Sequence, residues 1–208
     1  MEAIAYLGVA MGLAWVSGIN LYATVAVIGI LGSTGQMTLP PELSPLANEG
    51  VIAVAGLMYA VEFFADKTPG VDMGWDAVHT FIRIPAGAIL AAMAVAPVSE
   101  EAQMVAFLLG GAVATASHAT KALSRVAINT SPEPFSNWTA SIAEDFTVLG
   151  ALWVMFNHPY IMLGLVLAFS LFALWLTPRL FLALKSIFEK LFAFLNPNKQ
   201  EPPSLPEA

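Results

Sequence analysis

Six apolar runs separated by short polar segments dominate the chain, at residues 4–32, 50–66, 76–97, 102–125, 138–156 and 160–177. Each run is near the ~20 residues that a helix needs to cross the hydrocarbon core of a bilayer. The connections between the runs are too short to hold a separate soluble domain. The pattern therefore predicts an all-α fold, a polytopic transmembrane bundle of about six spans.

The first run is longer than one span requires, since about 29 residues of helix extend roughly 43 Å. Its middle contains Ser17-Gly18-Ile19-Asn20. Glycine weakens a helix, and Ser and Asn side chains compete for its backbone hydrogen bonds. We expect one tilted helix that is broken near Asn20. A re-entrant hairpin of two half-helices is the alternative.

The last part of the chain differs from the spans. Residues 1–178 are predicted to form the transmembrane domain, and residues 179–195 an amphipathic helix on the membrane surface. A bent continuation of the sixth helix is the alternative for that segment. Residues 196–208, rich in Pro and Glu, are expected to be disordered. A stripe of apolar residues supports the amphipathic helix: Leu180, Leu184, Ile187, Phe188 and Leu191.

Basic residues are segregated once the spans alternate in direction. The loops 33–49, 98–101 and 157–159 contain no Lys or Arg. By the positive-inside rule the opposite face is cytoplasmic, so both termini are predicted to be cytoplasmic. The expected location is the bacterial cytoplasmic membrane or another internal membrane. The basic residues at that face are Lys67, Lys121, Arg125, Arg179, Lys185, Lys190 and Lys199.

Composition agrees with a membrane protein, since 58% of residues are hydrophobic and only 11% are charged, against about 25% charged in soluble domains. The net charge of −7 argues against nucleic acid as a partner. The absence of cysteine excludes disulfides and thiolate chemistry. The expected partners are membrane lipids, together with other membrane proteins or a second copy of the chain.

A faint internal repeat relates residues 62–90 to residues 125–153. A shift of 63 positions superposes Pro69 on Pro132 and Trp75 on Trp138. Two repeats in the same orientation would be related by an axis along the membrane normal.

Ionisable residues inside the apolar runs are the candidate functional groups. Such groups are costly in a membrane and usually point into the bundle or a watery cavity. They fall in the predicted cytoplasmic halves of their helices, and we predict that they form a substrate-binding vestibule. An ion-pair network that fixes the helices is the alternative. The predicted substrate-binding residues are Asn20 at the break, Glu62, Asp66, Asp76, His79, Arg83, His118, Lys121, Arg125 and Glu144.

The arrangement inside this vestibule can also be predicted. The repeat places Glu62 and Arg125 at equivalent positions with opposite charge, so we expect them to face each other directly or through water. Arg83 lies two residues before Pro85, and proline frees a carbonyl one turn back. We therefore expect Arg83 on the positive wall of a cavity open to the cytoplasm.

Other chemistries are less favoured. Carboxylate and imidazole groups suit Mn, Fe or Zn, so a divalent-metal site is conceivable, but the sequence has no compact ligand motif. An intramembrane enzyme that uses Asp76, His79 and Glu144 is the third alternative. Since hydrolase, metalloprotease and nucleotide-binding motifs are absent, we expect no enzyme activity and no cofactor. The conceivable metal ligands are Glu62, Asp66, Asp76, His79 and His118.

Three stretches resemble one known family. They are residues 17–22 (SGINLY), 61–72 (VEFFADKTPGVD) and 75–87 (WDAVHTFIRIPAG). Together they are similar to the bacterial integral membrane family called domain of unknown function 4126, over most of residues 5–155. The resemblance implies a helical membrane topology and carries no activity.

Two functions fit these features. The first is a transporter or flippase-like protein for an ion, a small charged solute or a lipid headgroup, with a polar cavity open to the cytoplasm. Broken helices and buried charges are typical of such proteins. The alternative is a membrane scaffold or assembly factor that binds other membrane proteins through its C-terminal helix.

Overall fold

The computed structural model describes residues 3–130 and 134–195, and this part of the chain is helical, with no strand. Each of the six apolar runs corresponds to one α-helix, so the predicted all-α class is confirmed. The helices are α1 Ala3–Ser33, α2 Glu49–Ala65, α3 Val71–Val95, α4 Glu100–Ile128, α5 Pro134–Asn157 and α6 Pro159–Leu195, with a 3₁₀ helix Pro41–Ala47 before α2.

Among the described residues, five helices are long and apolar enough to cross a membrane. The sixth candidate is α2 together with the 3₁₀ helix, which meet at a bend of 66°. The 17 residues of α2 extend only about 25 Å, less than the ~30 Å of a bilayer core. Large apolar side chains such as Phe81, Phe146 and Leu171 are exposed on the outside of the bundle. The protein is therefore a multi-pass membrane protein.

The 3₁₀ helix lies in a segment that the sequence pattern predicts to be a loop. Prolines at its start and at Pro45 lack the backbone donor that an α-helix interior needs. Leu43 within it is fully buried. The segment therefore packs onto the bundle as a short cover over one end of α1, with which it is in contact.

Helix α1 lies at the centre of the bundle and contacts all five other α-helices. Close approach depends on small residues. A Cβ atom added to Gly87 on α3 would lie 2.6 Å from the Cβ of Ala114 on α4, and one added to Gly110 would lie 2.5 Å from the Cβ of Ala91. Because these distances are shorter than van der Waals contact, glycine is required for the α3–α4 packing.

The predicted break in α1 is confirmed. Asn20 has φ −147° and ψ 96°, outside the helical region. Its side-chain Oδ1 accepts a hydrogen bond from the backbone N–H of Ala23 at 2.9 Å. Extended backbone and this bond are the features of a helix N-cap, so Asn20 begins the second half of α1. The carbonyl of Ile19 is thereby released from its usual partner, the N–H of Ala23.

Helix α6 runs through Pro178 to Leu195 without interruption. The segment 179–195 is therefore continuous with the sixth helix, and its position at the membrane surface stays a prediction. Residues 196–208, expected to be disordered, lie outside the described residues.

Candidate functional site

Seven charged side chains meet at one place in the bundle, and we call them the charge cluster. They come from the end of α2, the first half of α3, the second half of α4 and the first half of α5. These portions lie at the same end because successive helices alternate in direction. The members of the charge cluster are Glu62, Asp66, Asp76, Arg83, Lys121, Arg125 and Glu144.

Arg83 lies between two carboxylates and is fully buried. One guanidinium nitrogen is 2.6 Å from Oε1 of Glu62, and the other is 2.8 Å from Oδ1 of Asp76. The planar guanidinium suits such two-sided pairing. The two charged hydrogen bonds offset part of the cost of removing Arg83 from water, while its Nε has no hydrogen-bond partner among the described residues.

Lys121 connects the charge cluster to the break in α1. Its Nζ atom is 2.8 Å from Oδ2 of Asp66 and 3.4 Å from both Glu62 Oε1 and Glu144 Oε2. The same ammonium donates to the released carbonyl of Ile19 at 3.2 Å. An ammonium group has three donors, so these contacts occupy all of them.

Arg125 closes the other side of the charge cluster. It binds Glu144 through two nitrogens, Nε to Oε1 at 3.2 Å and NH2 to Oε2 at 2.7 Å. It also donates to the backbone carbonyls of Asp66 and Asn137, at 2.9 and 3.1 Å. Among the described residues, the expected contact with Glu62 is not made directly, because Glu62 pairs with Arg83 and Lys121, and a contact through water stays a prediction. Lys121 links the two residues, since it contacts both Glu62 and Glu144, the partner of Arg125.

The charge cluster holds four carboxylates and three cations, so one negative charge is in excess. Within the described residues, three buried carboxylate oxygens have no hydrogen-bond partner: Oε2 of Glu62, Oδ1 of Asp66 and Oδ2 of Asp76. A buried acceptor without a donor costs about 1–3 kcal/mol, and more when it is charged. The arrangement therefore has free capacity for a positively charged or proton-donating partner.

His79 is held away from the carboxylates. Its Nδ1–H donates to the carbonyl of Trp75 at 2.8 Å, and its Nε2 accepts from the hydroxyl of Tyr22 at 3.0 Å. The ring also stacks on Trp75, with centroids 4.0 Å apart. Both ring nitrogens are engaged, so His79 ties α3 to the second half of α1.

His118 borders the charge cluster directly. Its Nδ1 accepts from Arg83 at 3.3 Å, so the proton lies on Nε2, which donates to Oγ1 of Thr80 at 2.8 Å. Among the described residues, no group of three or more His, Asp or Glu side chains is placed to hold a metal ion. The geometry thus gives no support to the metal alternative.

A second polar chain, which the sequence did not predict, lies beside the charge cluster. The fully buried Asp72 accepts from Nδ2 of Asn129 at 2.9 and 2.8 Å, and Asn137 donates to Oδ1 of Asn129 at 2.6 Å. Asp72 also accepts from its neighbouring backbone N–H of Gly70. This chain links α3, α4 and α5 at the end of the bundle that holds the charge cluster.

A cleft of about 240 Å³ reaches the charge cluster from the side. We call it the α4–α5 cleft, since most of its lining comes from those two helices, which touch each other little. Arg83 does not line it, so the cavity reaches the charge cluster at Lys121 and Glu144. Its lining residues are Trp15, Ile19, Ser117, Thr120, Lys121, Ser124, Ala143, Glu144, Thr147 and Phe169.

No curated protein and no solved structure matches this chain significantly. One family does, and its description is Domain of unknown function (DUF4126). The match covers residues 7–179, which include α2 to α5, nearly all of α1, the charge cluster and the α4–α5 cleft. By this match, which confirms the resemblance noted in the sequence, the chain is a member of the DUF4126 family.

Proposed function

We propose that this protein is a membrane transporter that binds a small cation in the charge cluster, beside the break in α1. The proposal rests on two features of the charge cluster. It has one more carboxylate than cations, and three of its buried carboxylate oxygens have no hydrogen-bond donor. A proton would supply the missing positive charge, and it does not need the metal-binding geometry that the described residues lack. The predicted binding residues Glu62, Asp66 and Asp76 are the ones that present these oxygens.

The energetics favour a bound positive charge. Two like charges 4 Å apart repel by about 4 kcal/mol at an effective dielectric of 20. Glu62 and Asp66 both contact the ammonium of Lys121, at 3.4 and 2.8 Å, so these two carboxylates lie close to each other. A proton on one of their free oxygens would offset that repulsion.

The broken helix supports transport. Discontinuous helices in transporters place polar backbone next to the bound ion. Here Lys121 contacts both the Ile19 carbonyl at the break and the carboxylates of the charge cluster. A cation that competes for those carboxylates would weaken the hold of Lys121 on the break. Occupancy of the site would thus be coupled to the angle between the two halves of α1.

A scaffold is the second candidate, and one observation favours it. The 37 residues of α6 extend about 55 Å, well beyond a ~30 Å bilayer core. The part that projects from the membrane would offer a helical surface to another protein. If the protein is a scaffold, the charge cluster serves only to hold the helices in position.

Currents from proteoliposomes on a solid-supported membrane distinguish the two candidates. We expect a jump in pH to give a transient current, while jumps in NaCl, KCl or choline chloride at constant pH give none. Asp76→Asn keeps the shape of the side chain but removes the excess charge, so it should abolish the current. Glu101→Gln, an exposed change on α4, is the control and should leave the current intact. Monodisperse protein that gives no current in a pH jump, or equal currents with Asp76→Asn, would overturn transport.

A further inference from the structure

We infer that the α4–α5 cleft binds a primary ammonium group, supplied either by a free amine or by the phosphoethanolamine headgroup of a lipid. This names a ligand class for the side entrance of the charge cluster. It rests on the proposed function only in that Glu144 belongs to the charge cluster and also lines the cleft.

Three of the four hydroxyl groups of the α4–α5 cleft, those of Ser117, Thr120 and Thr147, act as acceptors. Thr120 donates its proton to the carbonyl of Ala116 at 2.8 Å, and Thr147 donates to that of Ala143 at 2.7 Å. Ser117 likewise donates to the carbonyl of Ala114 at 3.1 Å. Each of these three hydroxyl protons is thus used by its own helix, and the lone pairs of the oxygen remain available. A ligand that meets these oxygens must bring its own N–H or O–H donors.

Glu144 supplies negative charge at the floor of the cleft. Its side chain is 20% exposed, against 4% or less for the other charge-cluster side chains. Oε2 contacts both Lys121 and Arg125, whereas Oε1 accepts only from Nε of Arg125. A carboxylate has about four acceptor positions, so Oε1 retains one for a donor in the cleft.

An anionic ligand is disfavoured by the state of Lys121. Its side chain is only 2% exposed, and its three donors are used by Asp66, Ile19 and Glu62. The other donors of the lining are the hydroxyl of Ser124 and Nε1 of Trp15, a buried indole N–H without a hydrogen-bond partner. One acceptor oxygen near the ammonium of the ligand would satisfy the indole N–H. Ethanolamine and phosphoethanolamine both carry an oxygen two carbons from the nitrogen.

The remaining walls and the size fit such a group. The rings of Trp15 and Phe169 lie 5.2 Å apart and form an aromatic wall, to which a cation is attracted. The volume of about 240 Å³ is below the ~300–1,000 Å³ of sites for drug-sized molecules. Ala143 and Thr147 are exposed at the mouth between the helices, so the cleft opens sideways, as a lipid headgroup would require.

The donor requirement can be tested with a pair of cations of equal charge. Thermal unfolding of the purified protein in detergent is titrated with ethanolammonium chloride and with tetramethylammonium chloride, which has no N–H group. We expect ethanolammonium to raise the melting temperature and tetramethylammonium to have at least tenfold lower affinity. Equal effects of the two salts would overturn the inference.

Matched threonine variants locate the binding. The double variant Thr120→Val, Thr147→Val removes two acceptors and keeps the shape of the cleft, so ethanolammonium should bind at least fivefold more weakly. Thr115→Val and Thr139→Val are controls, because these exposed threonines make the same hydrogen bond on the same two helices outside the cleft. Equal loss of affinity in the controls, or none in the double variant, would overturn the inference.

Nanodiscs separate the two sources of the ammonium. Stabilisation by phosphatidylethanolamine relative to phosphatidylcholine, lost in the double variant, identifies the lipid headgroup. Stabilisation by ethanolammonium in phosphatidylcholine discs identifies the free amine, and no effect in either arm refutes both. Cation currents that Asp76→Asn abolishes, without threonine-dependent amine binding, would leave transport standing alone. Amine binding without currents would support the ammonium site and overturn transport.

Discussion

The ammonium of Lys121 donates to the carbonyl of Ile19 across 3.2 Å, at the point where the N-cap at Asn20 has released that carbonyl. One side chain of α4 therefore completes the backbone hydrogen bonding of α1. The same ammonium is also the cation that contacts all four carboxylates of the charge cluster, at 2.8–3.8 Å.

Lys121→Met should accordingly lower the free energy of unfolding by about 3–5 kcal/mol, the cost of leaving buried charges without their partner. Methionine keeps much of the volume, so packing changes little. Lys185→Met is the control, since the Lys185–Glu189 pair is exposed and such pairs contribute about 0–1 kcal/mol. Thermal or denaturant unfolding in detergent measures both. Similar losses in the two variants would contradict the role given to Lys121.

Neutralising the two partners of the Arg83–Asp76 pair should have opposite effects. Arg83→Gln increases the excess of negative charge and should destabilise the protein by about 3–5 kcal/mol. Asp76→Asn removes the excess and should stabilise it by about 1 kcal/mol when no cation is bound. A double-mutant cycle that combines them isolates their coupling. Strictly additive effects would show that the pair is not coupled.

The contact of α1 with α4 predicts a contrast between two glycines. A Cβ atom at Gly18 would lie 2.6 Å from the carbonyl oxygen of Ala114, whereas one at Gly56 meets nothing within 4 Å. Gly18→Ala should therefore lower the melting temperature, since backbone cannot move aside easily. Gly56→Ala in the middle of α2 should raise stability by about 0.5–1 kcal/mol through the better helix propensity of alanine. Unfolding curves of the two variants, measured side by side, test this. Equal shifts would argue against tight α1–α4 packing.

The predicted topology can be tested by labelling, because the natural chain contains no cysteine. Single cysteines at Thr38, before the 3₁₀ helix, and at Thr68, between α2 and α3, should react with an impermeant maleimide from opposite sides of the membrane. Thr68 should be on the cytoplasmic side. Labelling of both positions from one side would mean that α2, the shortest helix, does not cross.

The sequence predicted the helices because each apolar run has the length of a span, and a run of that length has few other stable solutions in a membrane. It predicted the break because Ser, Gly and Asn occur together only there in the first run. It also identified the members of the charge cluster, since ionisable residues in apolar helices point inward.

The pairing inside the charge cluster could not be predicted in the same way. Helical periodicity tells which residues share a face, but not which face of another helix they meet. The partner of Glu62 depends on the rotation of α3 and α4, and this rotation brings Arg83 rather than Arg125 into contact. The hydrogen bonds of Asp72 could not be predicted, because Asp72 follows Pro69-Gly70 and has the pattern of an ordinary loop residue. Its partner Asn129 is 57 positions away.

The sequence separation of the ion pairs has a consequence for how the protein is made. Glu62 meets Arg83 after only 21 residues, whereas Asp66 is separated by 55 residues from the ammonium of Lys121 and by 59 from Arg125. While α4 is still inside the ribosome, the carboxylate of Asp66 has neither cation. Membrane insertion in strict chain order would therefore leave that carboxylate unpaired for most of two further helices. The short α2 is expected to reach its final depth only when α4 arrives, so assembly of the bundle is completed by its fourth helix rather than built up one span at a time.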